Sequence, residues 1–138
     1  MILFLHNRYR TTGGEERVVD DLLWLVREQL GEDAELLERD SAQLGRGRAA
    51  VALLRGGLDP DDVAKAVRRT GARVVHAHNL NPAFGVRALR AAREAGARAV
   101  AVATGFADPE TLRASEPDAY LEDFGDTAAA VAAITGAI

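Results

Sequence analysis

Five short apolar runs, each followed by a stretch with helical spacing, constrain this chain more than any other feature. Ile2-Leu-Phe-Leu-His6 opens the sequence, and Ala34 to Arg39, Arg73 to His78, Ala99 to Ala103 and Ala119 to Glu122 follow at wide intervals. Runs this short suit strands buried on both faces rather than helices. Between them, Val18, Val19, Leu22, Leu23, Val26 and Leu30 recur at spacings of three and four, which places one apolar stripe on a helix. Strand-helix alternation of this kind builds right-handed crossovers and a parallel sheet covered on both faces.

The punctuation agrees. Thr12 and Glu15 fit a capping box, and Gly31 fits a helix stop. Ala49 to Arg55 forms a short helix between glycines. Asp59-Pro60-Asp61-Asp62 predicts a helix start with an aspartate cap, and Gly71 ends that helix. Asn81-Pro82 begins a helix that ends at Gly96. Asp108-Pro109-Glu110 begins a shorter one, and Asp126 or Thr127 caps the last, through Ile134. The expected fold is α/β: one three-layer, Rossmann-like or flavodoxin-like domain over residues 1–138, with a five-stranded, mostly parallel sheet in the order 2-1-3-4-5. Another doubly wound order is the alternative.

Composition narrows the chemistry. Apolar residues make up 48% and charged residues 28%, a globular balance. The absence of cysteine removes disulfides, thiolate metal sites and cysteine nucleophiles, and suits a cytoplasmic location. No run is long enough to span a membrane as a helix. A net charge of −4 disfavours general nucleic-acid binding. The charge is uneven: residues 1–97 carry 15 basic and 14 acidic groups, and residues 98–138 carry 2 and 7. Such a break suits a junction between parts of different origin.

In doubly wound sheets, ligands bind beyond the carboxyl ends of the strands, where the strand order reverses. In the order 2-1-3-4-5 that point lies between strands one and three, beside His6-Asn7 and His76-Ala-His78-Asn79. Gly13-Gly14 opens the first helix there. A glycine pair at a helix N-terminus offers bare amides and a positive dipole end to phosphate, although glycines before a helix also simply serve the turn. Glu15 and Glu16 compete for the same amides. The loop matches neither the phosphate-binding Gly-Lys-Ser/Thr pattern nor Gly-x-Gly-x-x-Gly. His76 and His78 share one side of a strand, but two ligands with His6 nearby make a poor metal site, so no metal is expected. Asp108 is expected to cap a helix. Glu122, Asp123 and Asp126 are expected to form a solvated edge and a cap, and the sequence leaves Trp24 open between core rim and surface.

Two resemblances divide the chain. Ile2-Leu-Phe-Leu-His-Asn-Arg-Tyr9, Gly13-Gly-Glu-Glu-Arg-Val-Val19 and Val74-Val-His-Ala-His-Asn79 followed by Pro82 make residues 1–96 similar to the N-terminal Rossmann-like domain of family-4 GT-B glycosyltransferases. That resemblance implies that Gly13, Gly14 and Glu15 line a donor-diphosphate cleft with His78 and Asn79 nearby. The strand Ala99 to Gly105 lacks the histidine loop that this family places next, and the family's second domain with its Glu-x7-Glu motif is not in these 138 residues, so sugar transfer is not expected. Ala95-Gly-Ala-Arg-Ala-Val-Ala-Val-Ala-Thr-Gly105, Asp108-Pro-Glu110 and Pro117-Asp-Ala-Tyr-Leu-Glu-Asp-Phe124 make residues from about 95 to 138, the 97–138 part of the domain, resemble the C-terminal end of haloacid dehalogenase-like phosphatases. That family's reaction needs an Asp-x-Asp nucleophile motif at the first strand, where this chain has His6-Asn7. The combined expectation is a chimera, engineered or natural, with no complete active site, no cofactor and no catalysis. The alternative is a module retaining affinity for phosphate or a nucleotide-sugar fragment. A monomer or an edge-paired dimer is expected.

Overall fold

The computed structural model describes residues 1–8, 14–78, 80–103, 109–114 and 116–136. The chain divides into two compact units, Met1–Ala97 and Arg98–Ile138. The division coincides with the break in charge.

In the first unit, β1 (Ile2–Arg8) lies between β2 (Ala34–Asp40) and β3 (Val74–His78), and both pairings are parallel. Phe4 pairs with Leu36 and His76, and His6 with Glu38 and His78. Alternation along β1 sends successive side chains to opposite faces. Leu3 and Leu5 pack with Val63 and Val67 of α3 (Pro60–Thr70) and with Phe84 and Ala88 at α4 (Gly85–Glu94). Phe4 packs on the other face with Val19 and Leu23 of α1 (Gly14–Trp24) and with Val26. Val26 lies in a π-helical turn, Leu25–Gln29, closed by Leu30 N–H donating to the Leu25 carbonyl at 3.1 Å. The central strand is therefore covered on both sides, as a parallel sheet requires.

The helix α2 (Arg46–Arg55) ends at Gly56 in the left-handed region. The next residues meet the start of α4 backbone to backbone: Leu58 N–H donates to Ala83 at 2.8 Å, and Arg87 N–H to Gly56 at 3.0 Å. This approach leaves no room for side chains. A Cβ on Gly57 (φ +119°) would overlap the Phe84 carbonyl oxygen, and one on Gly85 (φ +60°) would overlap that of Gly56.

In the second unit, β4 (Val100–Val102) and β5 (Ala119–Leu121) pair in parallel, with Ala101 opposite Tyr120. α5 (Pro109–Ala114) lies between them in sequence, and α6 (Thr127–Thr135) follows. Asp126 caps α6, its carboxylate accepting from Ala129 N–H at 2.9 Å.

Three expectations are corrected. The strands do not form one five-stranded sheet: they form a three-stranded sheet in the order 2-1-3 and a two-stranded sheet, 4-5. β4 is only three residues long, and no ladder joins it to β3 among the described residues. Asp59 is not a side-chain cap. It adopts φ +39°, and its carboxylate lies 3.5 Å from Arg48 instead. The helix after Asn81-Pro82 begins later, at Gly85. The expected Thr12–Glu15 capping box, Thr104-Gly105 and Asp108 lie outside the described residues.

Candidate functional site

The reversal of strand order falls between β1 and β3, where ligand sites of such sheets form. At its carboxyl end β1 places His6 and Asn7 inside the protein, with relative exposures of 1% and 0%. Asn7 Nδ2 donates to the Asn81 carbonyl at 2.7 Å, which ties the strand end to the segment entering α4. His76 is exposed, and its ring lies 4.9 Å from that of Phe4. His78 is the register partner of His6. Gly14 opens α1 and is exposed, with nothing within 4 Å of an added Cβ. Gly13 and Asn79 lie outside the described residues, as do the side chains of Glu15 and His78. No three His, Asp or Glu side chains gather to hold a metal among the described residues. Trp24 is exposed.

A concavity of about 450 Å³ lies at the carboxyl ends of β1 and β2, lined by Arg8, Arg39, Asp40, Arg48 and Asp59 among others. Parallel register brings Arg8 opposite Asp40, and their side chains pair at 3.3 Å, with Glu38 at 3.5 Å from Arg8. The hydrogen bond to Asp40, then the charge of Glu38, raises the Arg8 guanidinium above its ordinary value. The Ala42 amide, at 2.8 Å, and Arg8 lower the Asp40 carboxyl. Arg39 is the anchor. Its Nη1 donates to the carbonyls of Leu58 (2.6 Å) and Ala83 (3.1 Å), its Nη2 donates to that of Asp59 (2.8 Å), and the guanidinium lies 4.4 Å from the centre of the Phe84 ring. Burial lowers the Arg39 value, with Asp62 and Asp59 opposing.

The cleft is therefore a set of mutually neutralised ion pairs on a floor tied together by Arg39. Ser41, beside it in sequence, spends its hydroxyl proton on the Arg8 carbonyl at 2.7 Å. Sequence reasoning missed this cleft. Its signals were Arg8 just past the first apolar run and Arg39-Asp40 closing the second, which only the strand register brings together.

Fold and site together define an α/β protein with parallel strands and a charged concavity at the carboxyl ends of β1 and β2. A family model described as HAD-hydrolase-like matches residues 89–127, from within α4 through β4, α5 and β5 to the first residue of α6. It covers less than a third of the chain and agrees with the resemblance read in the C-terminal part. No curated protein matches the chain. No solved structure matches it. No helix among the described residues is long and apolar enough to cross a membrane.

Proposed function

We propose that this chain is a Rossmann-like α/β protein of chimeric origin, glycosyltransferase-like over residues 1–96 and phosphatase-like over residues 97–138, with no catalytic activity of its own. The observation that carries this reading is the end of β1. A haloacid dehalogenase-type transfer needs an exposed, nucleophilic aspartate there. This chain has buried His6 and Asn7, the latter committed to the Asn81 carbonyl. The family match over residues 89–127 supports the phosphatase-like character of the C-terminal part, and the charge break near residue 97 supports a second origin for it. The test is release of phosphate from an aryl phosphate with magnesium present, and of nucleoside diphosphate from a nucleotide sugar. Rates equal to buffer are expected. Turnover that co-purifies with the chain and is lost in an Asn7→Ala variant would sink the proposal.

A second reading, retained phosphate or nucleotide binding at Gly13-Gly14, is favoured by the exposed Gly14 at the start of the eleven-residue α1. Binding at a hundredfold excess over Kd would stabilise the fold by about 2.7 kcal/mol. Thermal unfolding with inorganic phosphate and with a nucleoside diphosphate reads this directly, and amide shifts confined to the start of α1 would locate it.

A further inference from the structure

The last turn of α2 and the first turn of α4 present an apolar face that the first unit leaves uncovered. Leu54 is 88% exposed, Leu53 61%, Val86 68% and Leu89 39%. The two turns adjoin: a Cβ on Gly56 would lie 3.2 Å from Val86 Cγ2, and Arg87 N–H donates to the Gly56 carbonyl. Val86, Leu89, Arg90 and Arg93 lie at helical spacings of three, four and seven, so they form one stripe. The two helices carry six arginines, three on each, against one acid, Glu94, a net +5. Large exposed apolar side chains grouped inside a charged rim mark interaction surfaces. Arg55 in the last turn of α2 and Arg87, Arg90 and Arg93 on α4 disfavour packing of this face on its own copy, because like charges placed together repel.

The complementary surface is in the second unit of the same chain. Residues 98–138 carry a net −5. Within them Phe124 is 56% exposed in the segment Glu122-Asp-Phe-Gly-Asp126. This segment is held in shape. Asp123 accepts from Gly125 N–H at 2.7 Å, Asp126 accepts from Ala129 N–H at 2.9 Å, and Glu122 holds Arg113 at 2.8 Å. An exposed aromatic ring among carboxylates is complementary in charge and polarity to an apolar face among guanidiniums.

We propose that the α2–α4 face docks the Phe124 segment of a second copy of this chain. The contact joins two different surfaces, so one contact per pair leaves a free surface at each end and propagates, whereas two reciprocal contacts close a dimer.

Sedimentation velocity of the full chain over a wide concentration range tests this. Self-association is expected, weakening at raised salt because the rim pairs are screened over about 10 Å at 0.1 M ionic strength. Leu54→Asp and Phe124→Ser are each expected to weaken it at least about tenfold. Both side chains are exposed, so circular dichroism should not change. The decisive step mixes the two variants. Neither self-associates, yet the mixture forms a one-to-one complex, because Phe124→Ser keeps the face and Leu54→Asp keeps the ring. Arg90→Glu and Asp123→Arg repeat the experiment on charge alone. A chain that stays monomeric at every concentration overturns the proposal. So does association that ignores salt and these variants, as edge-strand pairing would, or a mixture that remains monomeric.

Discussion

The two units use the same alternation of strand and helix and arrive at very different interiors. The first buries Leu3, Leu5, Val63 and Phe84 completely against a strand seven residues long. In the second, the apolar side chains that are buried among the described residues are Ala130 and Ala133, and its strands are three residues long. Each buried methylene contributes about 0.8 kcal/mol, so alanine leaves little to oppose the entropy of ordering the chain. Chains below about 40 residues usually need a staple or a partner to fold alone, and the second unit is near that length. Pattern chooses the type of element; side-chain volume decides how firmly it is held. Amides of β4 and β5 should accordingly exchange with solvent orders of magnitude faster than those of β1.

The largest effect should come from the backbone crossing in the first unit. Gly57→Ala forces a Cβ into the Phe84 carbonyl, and both partners are main chain and cannot swing aside. A loss of about 4 kcal/mol or more is expected, or failure to fold. Gly47→Ala, in the exposed part of α2 with nothing within 4 Å, should have the opposite sign, a gain of roughly 0.5–1 kcal/mol. Chemical denaturation of the pair measures both. Equal, small effects would mean that the crossing does not hold the unit together.

Arg39→Met comes next. It keeps much of the side chain's bulk over Phe84 but strips the carbonyls of Leu58, Asp59 and Ala83 of a shared donor. About 3 kcal/mol of stability should be lost, all of it in the first unit. Asp126→Ala should cost the second unit about 1 kcal/mol by leaving Ala129 N–H uncapped. That smaller loss should nonetheless erase more of the exchange protection of α6 than Arg39→Met erases from β1. The reverse ranking would break the comparison between a well-filled and an alanine-filled interior.

Much of this was legible in the sequence, for local reasons. Pro60, Gly71 and Asp126 mark helix ends because their effect is confined to one turn, and the 2-1-3 order of the first sheet is one of the doubly wound orders that alternation and handedness allow. Three other features needed tertiary information. β1 runs two residues beyond His6 because Arg8 finds Asp40 across the ladder, a pairing no local pattern reveals. Asp59 carries every mark of a cap and is diverted by a left-handed backbone toward Arg48. Gly85 falls inside the helix expected to begin at Asn81-Pro82, and no pattern marks Gly57, although each makes room for the other's neighbourhood. Of the candidate site, the sequence reading located the end of β1 and the start of α1. It overlooked the Arg39 cleft, whose residues come from well-separated segments.

The smallest expected effect probes the first unit by pH. Arg69 donates N–H bonds from Nη1 and Nη2 to the two Glu35 carboxylate oxygens, joining the end of α3 to β2. That hydrogen bonding holds the Glu35 carboxyl below its ordinary value of 4.5, against the opposing effect of desolvation. A carboxyl with a depressed folded value stabilises the fold above the unfolded value and loses that contribution as pH falls through the folded one. The pair is partly exposed, so solvent screening keeps its contribution small. Glu35→Gln should therefore lower the denaturation midpoint of the first unit slightly at neutral pH. It should make no difference once the solution is acidic enough to protonate Glu35 in the wild-type chain. Asp40, depressed by the Ala42 amide and by Arg8, adds a second loss of the same sign in the same unit. Acid should thus soften the better-packed unit, and midpoints followed by hydrogen exchange at matched intrinsic rates would register the change at β1 and β2. A midpoint for Glu35→Gln that stays below wild type by the same amount down to the lowest pH would show that the pair acts through shape rather than charge.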